Sequence, residues 1–437
     1  MRNEKGITLI ALMVTLAVLI ALLAVSANVL VNSDIIGHSE KTGQAYTNAL
    51  ENDKTIGNDG VTINGKRYAN MEDFGRGEEL IESNIPGGTK VDENKEYVIE
   101  GETRTAVIPG GFTISGKHSE RTIEGGLVIY LINDKTEEDI AKIDWNDEAT
   151  LKHLKETYDQ FVWVPVTDAN KMFMCQAKTE SDAGCDLKIE GNEVICQTHK
   201  TADATKSKKM AGRLYATSTG NKFNGSLTTQ TYNANSGLRE PAKLISTDSS
   251  HVNQEEEPNL DLQTEYNNAV KKVIESKGFW IGRYETSGMN SSNDDIAVNI
   301  VAGKGTSDGI SNVNWYRMYK QQQNYVSKKN LDTSKIQSTM IFGAAWDQTM
   351  IFANCANERT TNQVSFITGN VETDCYKNIY GLSGNLYDWT TEAYDAEYRV
   401  DRGGVMDGGH SASYRNSYVS LYGCNSIPKE GFFGRRF

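Results

Sequence analysis

The chain has 437 residues, with 45 basic and 58 acidic side chains and a net charge of −13. Nucleic-acid binding needs basic patches, so this balance argues against a nucleic-acid partner and favours a well-solvated exterior. The length leaves room for a membrane anchor and two or three domains. A count of 39 glycines against 6 prolines is typical of a turn-rich α+β chain.

The first predicted element is an apolar segment, residues 7–31, which contains no Asp, Glu, Lys or Arg. As a helix it would be about 37 Å long, enough to cross a hydrocarbon core of about 30 Å. Arg2 and Lys5 precede it and acidic residues follow it, which predicts a cytoplasmic N-terminus and an extracytoplasmic C-terminal region. A cleaved secretory signal, cut at 25–27, is the alternative, but the segment is about ten residues longer than the apolar part of such signals.

The start of the anchor carries a motif of its own. The stretch from Lys5 to Leu12 (KGITLIAL) resembles the class III signal of type IV pilins and pseudopilins. The resemblance implies that a prepilin peptidase cuts after Gly6 and leaves Ile7 as the new N-terminus. Pilins usually carry glutamate at the fifth mature position, which is Ala11 here, so the resemblance covers processing but not the residue that joins pilin subunits in a fibre.

Residues 32–104 follow as a predicted stalk and small spacer module, because polar stretches and glycine-rich turns alternate there with short β-like runs. Hydrophobic periodicity then predicts a main domain over 105–437. Its predicted strands cover 105–109, 127–132, 161–166 and 279–285. Its predicted helices cover 137–158, 261–277, 315–328 and 344–354.

Some of these elements carry more specific predictions. Residues 161–166 (FVWVPV) are wholly apolar, which predicts a strand buried on both faces. Gly278 is placed as the C-terminal stop of the second main-domain helix. In the last helix, Trp346, Met350 and Ile351 are predicted to face inward.

Residues 172–260 are rich in Lys, Thr, Ser and Asn and show little apolar periodicity, which predicts a long, surface-exposed insertion. They contain Cys175, Cys185 and Cys196. Disulfides are chemically permitted outside the membrane, but six cysteines allow fifteen connectivities, so no pairing is assigned. The chain has no Cys-x-x-Cys, so a zinc knuckle is not predicted, and no other metal site is predicted either.

Four motifs of the main domain stand in one order. They are FVWVPV at 161–166, GFWIGRYE at 278–285, GNLYDWT at 384–390 and RVDRGG at 399–404. In this order they resemble the formylglycine-generating-enzyme (sulfatase-modifying factor) superfamily, whose fold is a variant of the C-type lectin fold. The resemblance covers 105–437 and implies an α+β, C-type-lectin-like domain in which 172–260 is an insertion.

The same resemblance bears on catalysis. Formylglycine-generating enzymes bind copper through two cysteines shortly after the Arg-Gly-Gly, and the corresponding positions here lie near Gly408 and Ser413. The one cysteine downstream is Cys424, and a single thiol cannot supply two soft ligands. A related branch holds iron with a histidine cluster, whereas the six histidines here are far apart in sequence. We therefore predict no enzyme activity and no cofactor; a structural calcium ion is compatible with the fold, but no motif specifies one.

The C-terminal segment 407–428 (DGGHSASYRNSYVSLYGCNSIP) has no Lys, Glu, Gln, Met or Trp, and each of its residues has a codon that ends in a pyrimidine. It resembles the variable region of retroelement-diversified proteins, which ends the same lectin-like fold. A turn-rich tail with naturally frequent Ser, Tyr, Asn and Gly is the alternative. Tyr supplies contact area and Ser and Asn supply adaptable hydrogen bonds, as in paratopes. The candidate ligand-binding residues are Asp407, His410, Ser411, Ser413, Tyr414, Asn416, Tyr418, Ser420, Tyr422 and Asn425.

The leading hypothesis from the sequence is a membrane-tethered or pilus-associated protein of the cell surface. It would bind a protein or glycan ligand through 407–428 and contact the membrane through 7–31. A minor pilin or pseudopilin is the structural alternative. A metal-dependent oxidative enzyme of the formylglycine-generating-enzyme superfamily is the third hypothesis.

Overall fold

The computed structural model describes most of the chain after residue 60. The described residues are 61–63, 66–175, 177, 184–212, 262–288, 295, 296, 298–303, 315–356, 358, 369, 372–384, 386–393, 398–404 and 411–419. The chain forms two compact units that divide between Leu80 and Ile81. The described part of the first unit is a hairpin of β1 (Val61–Ile63) and β2 (Lys66–Tyr68), followed by helix α1 (Met71–Arg76).

The predicted anchor at 7–31 and the processing residues Gly6 and Ile7 lie outside the described residues. Within the described ranges, no helix has both the length and the apolar character needed to cross a bilayer.

The second unit is an α+β structure, as the sequence predicts. Its largest described sheet has four antiparallel strands, in the spatial order β12 (Gly278–Gly282), β7 (Gln160–Pro165), β6 (Val128–Tyr130) and β5 (Thr113–Ile114). Every residue of β7 is buried, which confirms the prediction for FVWVPV.

The smaller sheets are built from short antiparallel strands. They are β3 (Lys95–Tyr97) with β4 (Ala106–Ile108), β8 (Phe173–Cys175) with β11 (Met210–Gly212), β9 (Leu187–Glu190) with β10 (Glu193–Cys196), β13 (Cys375–Tyr376) with β14 (Ile379–Tyr380), and β15 (Asp388–Ala393) with β16 (Tyr398–Arg402) and β17 (Arg415–Val419). The helices are α2 (Glu137–Ala141), α3 (Glu148–Thr157), α4 (Ala169–Met172), α5 (Leu262–Ser276), α6 (Trp315–Gln323), α7 (Tyr325–Lys328) and α8 (Gly343–Ala353).

The core lies on both sides of the four-stranded sheet, because successive strand residues point to opposite faces. Val162 and Val164 of β7 join a first apolar cluster, which also contains residues of α5 and α8. Phe161 and Trp163 join a second cluster, which contains residues of α6 and α7. The second cluster also includes Ile85, Val91, Tyr97 and Ile99, so the structure places 81–104, part of the predicted spacer, in the second unit.

The prediction that 172–260 is exposed at the surface is wrong for its first part, 172–210. Of the described residues in this part, several apolar ones are buried in the first cluster, including Phe173, Leu187 and Val194. The strands of this region have three or four residues each, which is too short for a periodicity to show in the sequence. Residues 213–261 lie outside the described part of the chain.

Two predicted helices are each divided in two. The helix predicted at 137–158 ends as α2 and restarts as α3, whose N-cap Asp147 accepts a hydrogen bond from the Thr150 amide at 2.7 Å. The intervening loop lets the Trp145 ring pack edge-on against Tyr130, with ring centroids 5.4 Å apart. The helix predicted at 315–328 is divided into α6 and α7.

Two details at helix ends and faces also differ from the prediction. Helix α5 stops at Lys277, which has a left-handed φ of 59°, and Gly278 begins β12 instead. A Cβ on Gly278 would lie 2.3 Å from the Trp163 ring, so glycine is needed there for packing. In α8, Trp346 and Met350 are buried as predicted, whereas Ile351 is 44% exposed.

Candidate functional site

Four metal-ligating side chains converge in the described part of the chain: Cys175, Cys185, Cys196 and His199. All four are buried, and their ligand atoms lie within 4.8 Å of one another. His199 Nδ1 is 3.3 Å from the sulfur of Cys175, 3.9 Å from that of Cys185 and 3.1 Å from that of Cys196. Tetrahedral zinc bond lengths imply sulfur–nitrogen separations of about 3.6 Å. The four atoms, which we call the Cys3His cluster, therefore have the dimensions of a metal site.

The local fold explains how these residues meet. Cys175 is the last residue of β8 and Cys196 the last residue of β10. Cys185 precedes β9, and Leu187 two residues later pairs with Cys196 across the β9–β10 hairpin. His199 follows in the turn after β10, where its carbonyl accepts a hydrogen bond from the Ala202 amide at 3.1 Å.

The surroundings hold this arrangement in place. The Leu187 amide donates to Asn170 Oδ1 in helix α4 at 2.8 Å, and the Met210 amide of β11 donates to Asn267 Oδ1 in α5 at 3.5 Å. The apolar side chains of Leu187, Val194 and Val270 belong to the same buried cluster as the three cysteines. The Cys3His cluster is therefore enclosed between the β8–β11 sheet, the β9–β10 hairpin and helix α5.

The thiols of the cluster differ in acidity. A hydrogen bond from Cys175 lowers the pKa of Cys185 to about 5, against the opposing effect of burial. The same hydrogen bond, with burial, raises the pKa of Cys175 well above its usual range, and burial raises the pKa of Cys196. One sulfur is thus held as a thiolate, the form that attacks electrophiles and binds metals.

The expectation that the cysteines and histidines form no metal-binding cluster is corrected by this geometry. The chain has no Cys-x-x-Cys and no His-x-x-His, and the available signal is the Cys-x-x-His of Cys196 and His199. Two further cysteines precede it at positions 185 and 175. Those two ligands become neighbours only after β8 and the β9–β10 hairpin pack together. All the described cysteines are free thiols, including Cys355 and Cys375.

Only part of the predicted ligand-binding segment lies among the described residues. Ser411 and Tyr414 are half-buried, and the Tyr414 ring stacks on Tyr387 with centroids 5.7 Å apart. Ser413 is fully buried, and its amide donates to the Ala356 carbonyl at 3.1 Å. Ser413 is therefore a core residue and not a surface contact.

The other candidate residues fall in two groups. Asn416 and Tyr418 lie in β17, opposite Asp401 and Arg399 of β16. The remaining candidates are outside the described residues: Asp407, His410, Ser420, Tyr422 and Asn425. Of the two positions that correspond to the copper-binding cysteines, Gly408 also lies outside the described residues, and the other is the buried Ser413.

A buried ion network lies at the base of this C-terminal segment. The Arg402 guanidinium donates to Asp347 Oδ1 of α8 at 2.6 Å and to Glu392 Oε1 of β15 at 2.7 Å. All three side chains are almost fully buried. Burial alone would lower the pKa of Arg402, but the two carboxylates raise it above its ordinary value, so the charge is retained. We call these three residues the Arg402 triad.

The glycines of the RVDRGG motif bring the chain from the triad towards β17. Gly403 has a φ of 94°, and a Cβ there would lie 3.1 Å from the Trp346 ring. A Cβ on Gly404 would lie 1.9 Å from the Ser383 carbonyl oxygen, so no side chain fits. Trp346 in turn donates its indole N–H to the Ala412 carbonyl at 3.0 Å. Gly403 therefore has a positive φ and Gly404 allows a close backbone approach, both of which glycine permits.

No protein-family model and no curated protein matches this chain. The likeness to pilin signals and to formylglycine-generating enzymes stays a prediction.

Proposed function

We propose that this protein is a membrane-tethered or pilus-associated protein of the cell surface that binds a protein or glycan ligand through residues 407–428. In this proposal the main domain is a lectin-type scaffold. The observation that carries the proposal is the support of β17, which pairs along its whole length with β16, the strand that ends at the buried Arg402 triad.

A rigid support favours recognition for a physical reason. Ordering loops and side chains on binding costs free energy. A segment that is already held by a sheet loses less conformational entropy when it binds. Among the described strands, β17 pairs with β16 alone, so its other edge is not occupied by a described strand. The segment also combines Tyr with Ser, Asn and Gly, the composition used by paratopes. Ser413 is left out of the proposed surface because it is buried.

The lectin-type scaffold is supported by where the four motifs lie. Trp163, Arg283, Trp389 and Arg402, one from each motif, are among the largest fully or almost fully buried side chains. Arg283 donates to Glu120 Oε1 at 2.8 Å, so its motif also contributes to a buried ion pair. Motif residues that are distant in sequence thus contribute to the interior of one unit, which is what a shared fold requires.

The test is a binding screen followed by mutagenesis. The full chain, purified in detergent, is screened on a glycan array and against a library of displayed surface proteins. For any ligand found, we expect Tyr418→Ala with Tyr422→Ala to weaken binding at least about tenfold, because aromatic anchors carry much of the energy of such interfaces. The matched control, Val98→Ala with Ile351→Ala, removes two exposed hydrophobic side chains elsewhere and should bind normally. Equal binding by the tyrosine variant and the wild type would contradict the assignment.

A second measurement addresses diversification. Resequencing the gene across related isolates should show substitutions concentrated in 407–428, mainly at codons that can gain or lose adenine. Evenly distributed substitutions would favour a fixed, turn-rich tail.

A further inference from the structure

We propose that Cys175, Cys185, Cys196 and His199 bind one Zn²⁺ ion in a closed, structural site that joins the two-stranded β8–β11 sheet to the β9–β10 hairpin. This function is separate from ligand binding by the C-terminal segment and does not depend on it. The four donors are three thiols and one imidazole, a combination typical of structural zinc in proteins. Because the protein supplies all four ligands, the site has no open position for a substrate.

The geometry favours a metal over hydrogen bonds alone. His199 Nδ1 lies within 3.9 Å of all three sulfur atoms. One ring nitrogen can donate or accept a single proton, so it cannot satisfy three sulfurs at once. A tetrahedral ion at the centre would bond to all four atoms and neutralise most of the thiolate charge in this buried place.

The geometry also favours a metal over a disulfide. A disulfide brings two sulfurs to about 2.0 Å and uses only two cysteines. The third thiol and the buried imidazole would then have no role in the cross-link. In the cluster, by contrast, each cysteine is in contact with the same nitrogen atom of His199.

A bound ion would stabilise the short strands around the Cys3His cluster. Strands β8 and β11 have three residues each and β9 and β10 have four, and isolated two-stranded sheets of this kind are marginally stable. The ligands come from the end of β8, the segment before β9, the end of β10 and the turn after it. One ion would therefore fix four places in the chain relative to one another and hold their apolar side chains against α5. Zinc fingers gain their folding energy in the same way.

The first experiment measures the metal directly. The full chain is purified in detergent under reducing conditions with zinc present, and bound metal is measured by inductively coupled plasma mass spectrometry. We expect one zinc per chain in the wild type and in Cys375→Ser, a cysteine outside the cluster. After dialysis against zinc-free buffer, we expect Cys196→Ser to retain at least about tenfold less zinc than the wild type, because one of the four ligands is lost. Equal zinc content in the wild type and Cys196→Ser would overturn the site, since the metal would then be bound elsewhere.

The second experiment remains informative if Cys196→Ser fails to fold. Cobalt(II) replacing zinc should give the visible absorption of a tetrahedral ion and a thiolate-to-cobalt charge-transfer band. His199→Cys keeps four soft ligands, so it should still bind one ion, with a stronger charge-transfer band from the added thiolate. Peptide mass spectrometry of the untreated chain should find the three cluster thiols protected from alkylation until a chelator is added. A disulfide between any two of them, or octahedral cobalt, would overturn the proposal.

Discussion

The buried Arg402 triad offers the strongest test of how the C-terminal segment is supported. We consider Arg402→Met, which keeps the length of the side chain but removes its charge. The Asp347 and Glu392 carboxylates would then remain in places where their side chains are 3% and 0% exposed, without the cation that balances them. Breaking a buried ion pair in this way costs about 3–5 kcal/mol of unfolding free energy.

Two variants separate charge from geometry. Arg402→Lys keeps a positive charge but cannot form the planar, two-pronged contact with both carboxylates, so we expect a smaller loss. Replacing all three residues together, as Arg402→Met, Asp347→Leu and Glu392→Met, should recover part of the loss because no charge stays buried. A loss in the triple variant as large as in Arg402→Met would show that packing, and not charge, causes the effect.

The assay is urea unfolding of the full chain followed by tryptophan fluorescence, since Trp346 hydrogen-bonds to Ala412 at the start of the segment. Arg104→Met is the matched control. Arg104 pairs with Glu124 at 2.6 Å, but their side chains are 37% and 65% exposed, and such surface pairs contribute only about 0–1 kcal/mol. If Arg402→Met and Arg104→Met lose the same unfolding free energy, the triad does not stabilise this region.

Two further predictions concern pH and processing. Burial raises the pKa of Glu265 to about 7, although a hydrogen bond from Gln323 Nε2 at 2.8 Å opposes the shift. The stability that the protonated carboxyl contributes is therefore full below the unfolded-state pKa near 4.5 and is lost as the pH rises to about 7. Between these two pH values, the unfolding free energy of the wild type, measured by urea titration, should fall by up to about 3 kcal/mol more than that of Glu265→Gln. If the unfolding free energies of the two proteins change in parallel with pH, the prediction is wrong. In cells with prepilin peptidase, Gly6→Ala should block cleavage before Ile7, which N-terminal sequencing checks; normal cleavage would exclude the pilin-like signal.

Much of the architecture could be predicted from local sequence patterns. The apolar run of β7 predicted a strand buried on both faces, because only such a strand can place every residue in the core. The stripe of apolar residues in 261–277 predicted α5 to within a residue at each end. Consecutive glycines such as Gly403 and Gly404 are compatible with a close backbone approach, because they have no side chain. Each of these signals depends on neighbours in sequence, so each could be read without the fold.

Other features depended on contacts between distant residues. Ser413 has a polar, paratope-like sequence around it, yet it is buried because its backbone pairs with Ala356. The loop that separates α2 from α3 lets Trp145 pack against Tyr130, a contact that periodicity does not reveal.

The α+β class, the main strands and helices, and the tyrosine-rich composition of the C-terminal segment can all be read from local sequence. The Cys3His cluster and the Arg402 triad become visible only in the folded chain. This difference arises because strand and helix periodicity is a property of a few consecutive residues. A metal site or a buried ion network forms only when side chains from separate elements meet at distances fixed by packing. Examples are Cys175 with His199 and Arg402 with Asp347.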